Sequence, residues 1–371
     1  MDIIDSNVLM IGGGVIGLSI AASLSESGYE TILVEKNIHL AEEVSARNSG
    51  VIHAGFYYPK NSLKSKFCNS GNKLIYDYCS KKNIYNKKTG KILVSNQKES
   101  INIFKEYINN AKYIHAEPLR IIDKAEIEKL EPDVEADYGL YSPESGILDV
   151  HSYSNSLEND IVSNNGLISL NSYLKNTKKI GDNFHSTIKT GTEECFEIKS
   201  KLIIFCAGLH STKLKNIDIF QDKNIIKDIN YTKGHYFKLS GQSPFNHLVY
   251  PLPTKYGLGI HASFDIDGSV RFGPDTYITS KIDYTFEPGI KQNFIRAIKE
   301  YWPGLNEEKL HEDYVGIRPK IQKSNEKFAD FSILGPNDHQ IDNCIILQGI
   351  ESPGLTCSLS IADYVARMIK T

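Results

Sequence analysis

Gly12, Gly14 and Gly17 stand at the G-x-G-x-x-G spacing directly behind an apolar run, Val8-Leu-Met-Ile11. That arrangement can hold the pyrophosphate of a dinucleotide. The first glycine permits a tight turn, the second lets a phosphate approach the backbone, and the third lets a helix pack closely on the strand. Val15 and Ile16 open that helix, which offers free N–H groups and the positive end of its dipole to the phosphates. Glu35 closes a second apolar run, Thr31-Ile-Leu-Val34, with Lys36 beside it. Its carboxylate is placed to accept a hydrogen bond from a ribose hydroxyl. Strand, glycines, helix, strand and terminal acid together predict an adenine-dinucleotide site.

The elements that must carry these residues can be read from the apolar pattern. A continuous run such as residues 8–11 is that of a buried parallel strand, and a helix is expected over about residues 15–27, ended by Gly28. Beyond Glu35 the alternation of strand and helix is not repeated. Helices are expected over residues 62–80, 100–110 and 152–163, with a capping box at Asp123-Lys-Ala-Glu126 opening a short one. Lys91-Ile-Leu-Val94, Leu202-Ile-Ile-Phe-Cys-Ala-Gly208 and Cys344-Ile-Ile-Leu-Gln348 read as strands. Between residues 231 and 277 the pattern alternates, predicting strands at 234–239, 248–252, 258–264 and 269–273, with Asp267-Gly268 turning a hairpin between the last two. After the turn Gly349-Ile-Glu-Ser-Pro-Gly354, an amphipathic helix is expected over residues 355–369.

A chain of 371 residues suggests two domains. Its 40% apolar and 23% charged content is that of a globular protein, and a formal net charge of −3 gives no support for a nucleic-acid partner. Six cysteines, at 68, 79, 195, 206, 344 and 357, include no C-x-x-C pair, so neither a metal site nor a disulfide framework is expected. The first residues lack the basic start and apolar segment of a signal peptide, and no run is long enough to span a bilayer. A cytoplasmic protein is expected, with contact peripheral to the inner face of a membrane left open.

Several segments resemble the D-amino-acid-oxidase-like family of FAD-dependent oxidoreductases. They are the glycine motif ending in Glu35, Ser45-Ala-Arg-Asn-Ser-Gly-Val-Ile-His53, Cys206-Ala-Gly208, Gly316-Ile-Arg-Pro319 and Gly349-Ile-Glu-Ser-Pro-Gly-Leu-Thr356. Within the family, Arg47 to Gly55 continuing into Tyr57-Tyr58 and Leu63-Lys64 is most similar to the L-2-hydroxyglutarate-oxidising branch. Tyr250-Pro-Leu-Pro253, Gly259-Ile-His261 and Arg271-Phe-Gly-Pro-Asp275 add to that likeness. Gly316-Ile-Arg-Pro-Lys320 instead looks like the Gly-x-Arg-Pro element of amino-acid and glycine oxidases. The resemblance implies an α/β fold, with a Rossmann-like FAD-binding domain interleaved with an α+β substrate domain on a mostly antiparallel sheet. The expected FAD-binding segments are 1–83, 146–225 and 330–371, and the substrate-binding segments are 84–145 and 226–329.

The same resemblance implies FAD as cofactor and assigns roles. Arg47, Asn48, Ser49, Gly50 and Val51, and Ala207 with Gly208, would line the cofactor. Gly349 and Pro353 would shape a turn that presents the N–H groups of Gly354, Leu355 and Thr356 to the electron-rich edge of the flavin. His53 is the leading candidate to take the hydroxyl proton while hydride passes to flavin N5, since a group with pKa near neutrality suits that task. His261 competes for the role and His235 comes third. Arg318 would pair with a substrate carboxylate through its planar fork, and Tyr57, Tyr250 and Arg271 are further candidate substrate contacts. The implied reaction converts a small 2-hydroxy acid, L-2-hydroxyglutarate first, to the 2-oxo acid, with a quinone, a carrier protein or oxygen as electron acceptor. Oxidation of an amino acid or secondary amine, or a flavin-holding subunit without catalysis of its own, are the alternatives.

Overall fold

Val8, Leu9 and Met10 have no exposed surface, the condition of a strand covered on both faces. In the computed structural model, which describes residues 3–116, 118–221, 223–252, 259–322, 326 and 328–370, they lie in strand Ile3–Ile11. This strand pairs in parallel with Thr31–Val34 on one side and Cys195–Phe205 on the other, Ile11 standing against both Val34 and Phe205. Thr31–Val34 pairs in parallel with Leu167–Ser169, and Cys195–Phe205 with Cys344–Gln348. An antiparallel extension, Ser172–Ile180 with Asn183–Thr190, joins the far edge of Cys195–Phe205. Helix Val15–Glu26 packs against helices Val150–Ser163 and Gly354–Lys370. It is buried around most of its circumference, so it carries few polar residues.

The chain divides into two compact units, 1–46 with 150–231 and 318–371, and 47–149 with 232–317. The sheet just described belongs to the first. The second unit is built on a larger, mostly antiparallel sheet ordered Tyr277–Thr279, Asn230–Leu239, Val270–Phe272, Ala262–Phe264, Leu248–Pro251, Lys91–Ser95, Tyr138–Ser142, Arg120–Asp123, with Leu310–Lys320 also paired to Asn230–Leu239. A parallel step sets Leu248 against Lys91 and Tyr250 against Leu93. Phe237, Phe272, Phe294, Leu248 and Ile298 form part of its core. The expected α/β class with an antiparallel second sheet is the architecture observed.

The division differs from the expected domain boundaries by a few residues at 146–149 and 226–231, and more widely in two places. Residues 47–83, expected to close the first FAD-binding segment, stand in the second unit. The reason is a small sheet in which Val51–Ile52 and Asn86–Lys87 both pair with Gly146–Leu148, tying residues far apart in sequence. Residues 318–329, expected in the substrate segment, fall instead on the first unit's side of the boundary. Of the strands expected between 231 and 277, the hairpin at Asp267-Gly268 forms, with Gly268 at φ 80° and Ala262 against Phe272. Pro253 and Leu258 lie outside the described residues, and the third of these strands is Ala262–Phe264. Among the described residues, no helix is long and apolar enough to cross a membrane.

Candidate active site

In the first unit the glycine turn is shaped by close approach. Gly12 has φ 109°, and a Cβ there would fall 2.4 Å from the carbonyl oxygen of Cys206. A Cβ on Gly17 would meet the Gly12 carbonyl at 1.9 Å, so the helix can lie this close to its own turn only with glycine. Gly14 differs, because a Cβ there would meet nothing nearer than Ser45 Oγ at 3.2 Å. Its open face at the helix N-terminus is the room a phosphate needs. No side chain caps this end, and no acid lies in its first turn. The Val15 N–H donates to Ser45 Oγ at 2.9 Å, while Ile16 is half-buried behind it. The residues present therefore fit a dinucleotide pyrophosphate.

Glu35 lies at the end of its strand, 8% exposed. Oε2 accepts from the Gly13 N–H at 2.6 Å and Oε1 from the Asn37 N–H at 2.9 Å. A carboxylate has about four lone-pair sites, so two such bonds orient it and leave capacity for ribose hydroxyls. Lys36, expected among the cofactor contacts, directs its ammonium elsewhere, to Glu43 Oε1 at 2.9 Å and Asn37 Oδ1 at 2.8 Å. Burial pushes the Glu43 carboxyl up, but hydrogen bonds from His210 and Lys36 overcome it and bring the pKa down to about 2.

Ala207 and Gly208, the latter at φ 50°, open a 3-10 helix where strand Cys195–Phe205 ends. Gly349, at φ 69°, begins the turn into the last helix, which opens at Gly354 behind a buried Pro353. One expected donor is used within the turn, since the Gly354 N–H binds the Glu351 carbonyl at 2.5 Å. Leu355 and Thr356 follow in the helix's first turn. Arg318 lies near the end of Leu310–Lys320, half-buried, at the edge of the first unit.

In the second unit, Arg47 is held within its own loop surroundings, its guanidinium 4.3 Å from the Tyr284 ring centroid and donating to the Val315 carbonyl at 3.4 Å. Asn48 Oδ1 accepts from the Gly50 N–H across Ser49, and the Asn48 carbonyl accepts from Tyr314 Oη at 2.7 Å. Val51 then pairs with Ile147. This fixes where the chain leaves toward His53, whose carbonyl accepts from Asn72 Nδ2 at 3.0 Å on helix Leu63–Lys82.

Around His53 the sheet register assembles a cluster. Alternation along Lys91–Ser95 puts Lys91 and Leu93 on one face. Tyr250 stands beside Leu93 in the parallel ladder, and the antiparallel pairing of Val249 with Ala262 brings His261 opposite Tyr250. The Tyr250 and His261 rings stack at 3.7 Å and 8°. Lys91 Nζ lies 4.2 Å from the Tyr250 ring centroid, 5.4 Å from that of Tyr57, and 3.4 Å from His53 Nδ1. Burial, then the charges of Lys91 and His261, hold the His53 imidazole well below its ordinary range. These surroundings favour its neutral form. Burial pushes the Tyr57 and Tyr250 phenols up, so both remain protonated donors.

The expectation for His53, Tyr57, Tyr250 and His261 is thus a set of residues that the fold brings together. Arg271 is not among them. Its guanidinium is held by Asp313 at 2.5 Å and Asp265 at 2.7 Å, so two protein carboxylates take the charge that a substrate would need. His235 is fully buried, with Nδ1 on the Asp275 carboxylate at 2.9 Å and Nε2 accepting from the Glu287 N–H at 3.4 Å. Sequence reasoning missed Lys91, which it placed only as the start of a strand. The signal was present: a lysine opening the run Lys91-Ile-Leu-Val94 continues the face of residues that are all buried.

The family model described as FAD dependent oxidoreductase matches residues 7–368. L-2-hydroxyglutarate dehydrogenase, mitochondrial, of Arabidopsis thaliana is 35% identical over 398 aligned residues, covering 97% of this chain and 82% of that protein. The protein of the same name from Dictyostelium discoideum is 28% identical, covering 96% and 90%. Among solved structures, FAD-bound L-α-glycerophosphate oxidase of Mycoplasma pneumoniae superposes with a TM-score of 0.88 at 26% identity, covering 99% of this chain and 95% of that one.

Proposed function

Because the chain belongs to the family of FAD dependent oxidoreductases typed by D-amino-acid oxidase, we propose that it oxidises the hydroxyl of L-2-hydroxyglutarate to give 2-oxoglutarate. It is an FAD enzyme, and the glycine turn, Glu35 and the start of the last helix are the residues that would hold the cofactor. FAD, when bound, supplies the acceptor for the hydride that leaves the substrate carbon. The protein supplies the rest. His53 takes the hydroxyl proton, and its place in the buried cluster with Lys91, Tyr57, Tyr250 and His261 is the single observation that carries this reading. Oxidation of an alcohol requires that proton to leave, whereas an amine substrate can lose its proton in solution before binding. Arg318, by the fork geometry of guanidinium, is our candidate for the α-carboxylate. His261, stacked on Tyr250, orients the ring beside the base.

The names of the curated relatives support the substrate, and cysteines outside any disulfide fit a reducing compartment, in our reading the cytoplasm. An electron acceptor, whether a quinone, a carrier protein or oxygen, completes turnover. A second reading, oxidation of an amino acid, is favoured by Gly316-Ile-Arg-Pro319 alone.

Anaerobic mixing of the purified holoenzyme with 2-hydroxy and amino acids tests the proposal by flavin bleaching. L-2-hydroxyglutarate should bleach it fastest, and His53→Ala should slow bleaching by about 100-fold or more. Bleaching by an amino acid but no hydroxy acid, or an unchanged rate in His53→Ala, would sink this reading.

A further inference from the structure

We propose that Lys91 is the counter-ion for the distal carboxylate of the substrate, and that it makes the enzyme select dicarboxylic over monocarboxylic 2-hydroxy acids. This deepens the reading above and rests on it.

Lys91 has no exposed surface. Among the described residues no carboxylate pairs with it. Its polar and aromatic neighbours are His53 Nδ1 at 3.4 Å and the faces of the Tyr250 and Tyr57 rings, with His261 stacked behind Tyr250. The nearby Tyr57 hydroxyl is buried and has no hydrogen-bond partner among the described residues, which adds a spare donor to the cluster. A buried ammonium without an anion is unfavourable, and a methionine or leucine would fill the same volume without that penalty. The charge makes sense if an anion arrives with the ligand. Burial lowers the Lys91 pKa to about 7, with the Cys68 thiol acting slightly the other way. A carboxylate docking beside Nζ would restore the full charge.

Position selects which carboxylate. The reacting hydroxyl must reach His53, which Lys91 adjoins. In 2-hydroxyglutarate a two-methylene spacer carries a second carboxylate past the carbinol carbon, and the cation adjoining His53 receives it. A monocarboxylic hydroxy acid would leave Lys91 as unsatisfied as it is in the free protein.

The test uses the holoenzyme and two non-oxidisable probes, glutarate and butyrate, titrated by the change in flavin absorbance. Wild type should prefer glutarate, and in Lys91→Met that preference should collapse by about 10- to 100-fold. The ratio of kcat/KM for L-2-hydroxyglutarate over L-2-hydroxybutyrate should fall with it. Equal loss for both probes would assign Lys91 to the α-carboxylate or to His53 alone and overturn the proposal. An unchanged preference would overturn it too. Should Lys91→Met fail to fold, wild type still decides. Glutarate affinity should drop about tenfold per pH unit above the Lys91 pKa while butyrate affinity stays level, and parallel profiles would refute the idea. The binding arm does not depend on turnover. An enzyme that binds glutarate through Lys91 but is bleached only by an amino acid refutes the hydroxy-acid reading. An enzyme bleached by L-2-hydroxyglutarate with no role for Lys91 refutes the present one.

Discussion

Two lysines of the second unit, Lys91 and Lys233, are both without exposed surface, and the protein treats them in opposite ways. Lys233 Nζ donates to Glu287 Oε1 at 2.9 Å, the Thr285 carbonyl at 3.0 Å and Asp283 Oδ2 at 3.3 Å. Burial pulls its pKa down, but hydrogen bonds with Glu287 and Asp283 outweigh that and raise it above the ordinary value. Lys91 has aromatic faces and an imidazole around it instead, and burial wins. The contrast teaches that burial alone does not mark a functional lysine. The missing counter-ion does, because a structural ion pair is complete within the protein and a binding residue is completed by its ligand.

The largest effect is expected from removing that difference at Lys233. Asp283→Asn with Glu287→Gln removes both carboxylates from the Lys233 ammonium, and the double variant should unfold at a lower urea concentration than wild type. Urea unfolding midpoints measure it. Lys91→Met should go the other way, staying level or gaining about 1–3 kcal/mol in the absence of ligand. Equal losses in the two variants would break the comparison.

A smaller effect, with a sign that separates the two sites, lies in the pH dependence of stability. Lys91 has a folded pKa of about 7, below the ordinary lysine value, so between these the unfolded chain binds more protons and stability rises with pH. The advantage of Lys91→Met should therefore be greatest below pH 7 and shrink as pH rises toward about 10. Lys233 is raised, so its contribution is complete below the ordinary lysine pKa and is lost only as pH climbs through its folded value. The deficit of Lys233→Met should accordingly be level from pH 6 to about 9. Matching slopes for the two variants would contradict the assignment. The smallest effect concerns His53, whose pKa is lowered by burial first and by Lys91 next. Removing the lysine charge should move the acid limb of kcat/KM upward, toward the ordinary imidazole range. A limb that stays in place would show that Lys91 does not act on the base.

Much of the first unit was legible from local pattern. Residues 8–11 fall in Ile3–Ile11, the expected helix over 15–27 is Val15–Glu26, and Cys344–Gln348 matches throughout. Asp123 caps its short helix by accepting from the Glu126 N–H, and Ser62 caps the long one by accepting from the Ser65 N–H. These features depend on neighbours a few residues away. The strands Ser172–Ile180 and Asn183–Thr190 escaped notice because their exposed faces carry lysine, asparagine and threonine and leave few apolar residues to show a period. Leu310–Lys320 was visible only as the motif around Arg318, since its first half exposes His311, Glu312 and Asp313.

By itself the sequence determined the dinucleotide turn, the two-part α/β organisation and His53 as a candidate base. Glycine spacing, apolar period and capping residues act within a single turn or strand. Only the tertiary structure decided which charges are available. Arg271 is consumed by Asp265 and Asp313, Lys36 by Glu43, and His235 by Asp275. Among the described residues no carboxylate pairs with Lys91 beside His53. The physical reason is register: hydrogen bonding sets residue 91 beside 248 and residue 249 beside 262, and no local pattern records which distant strand a residue will face.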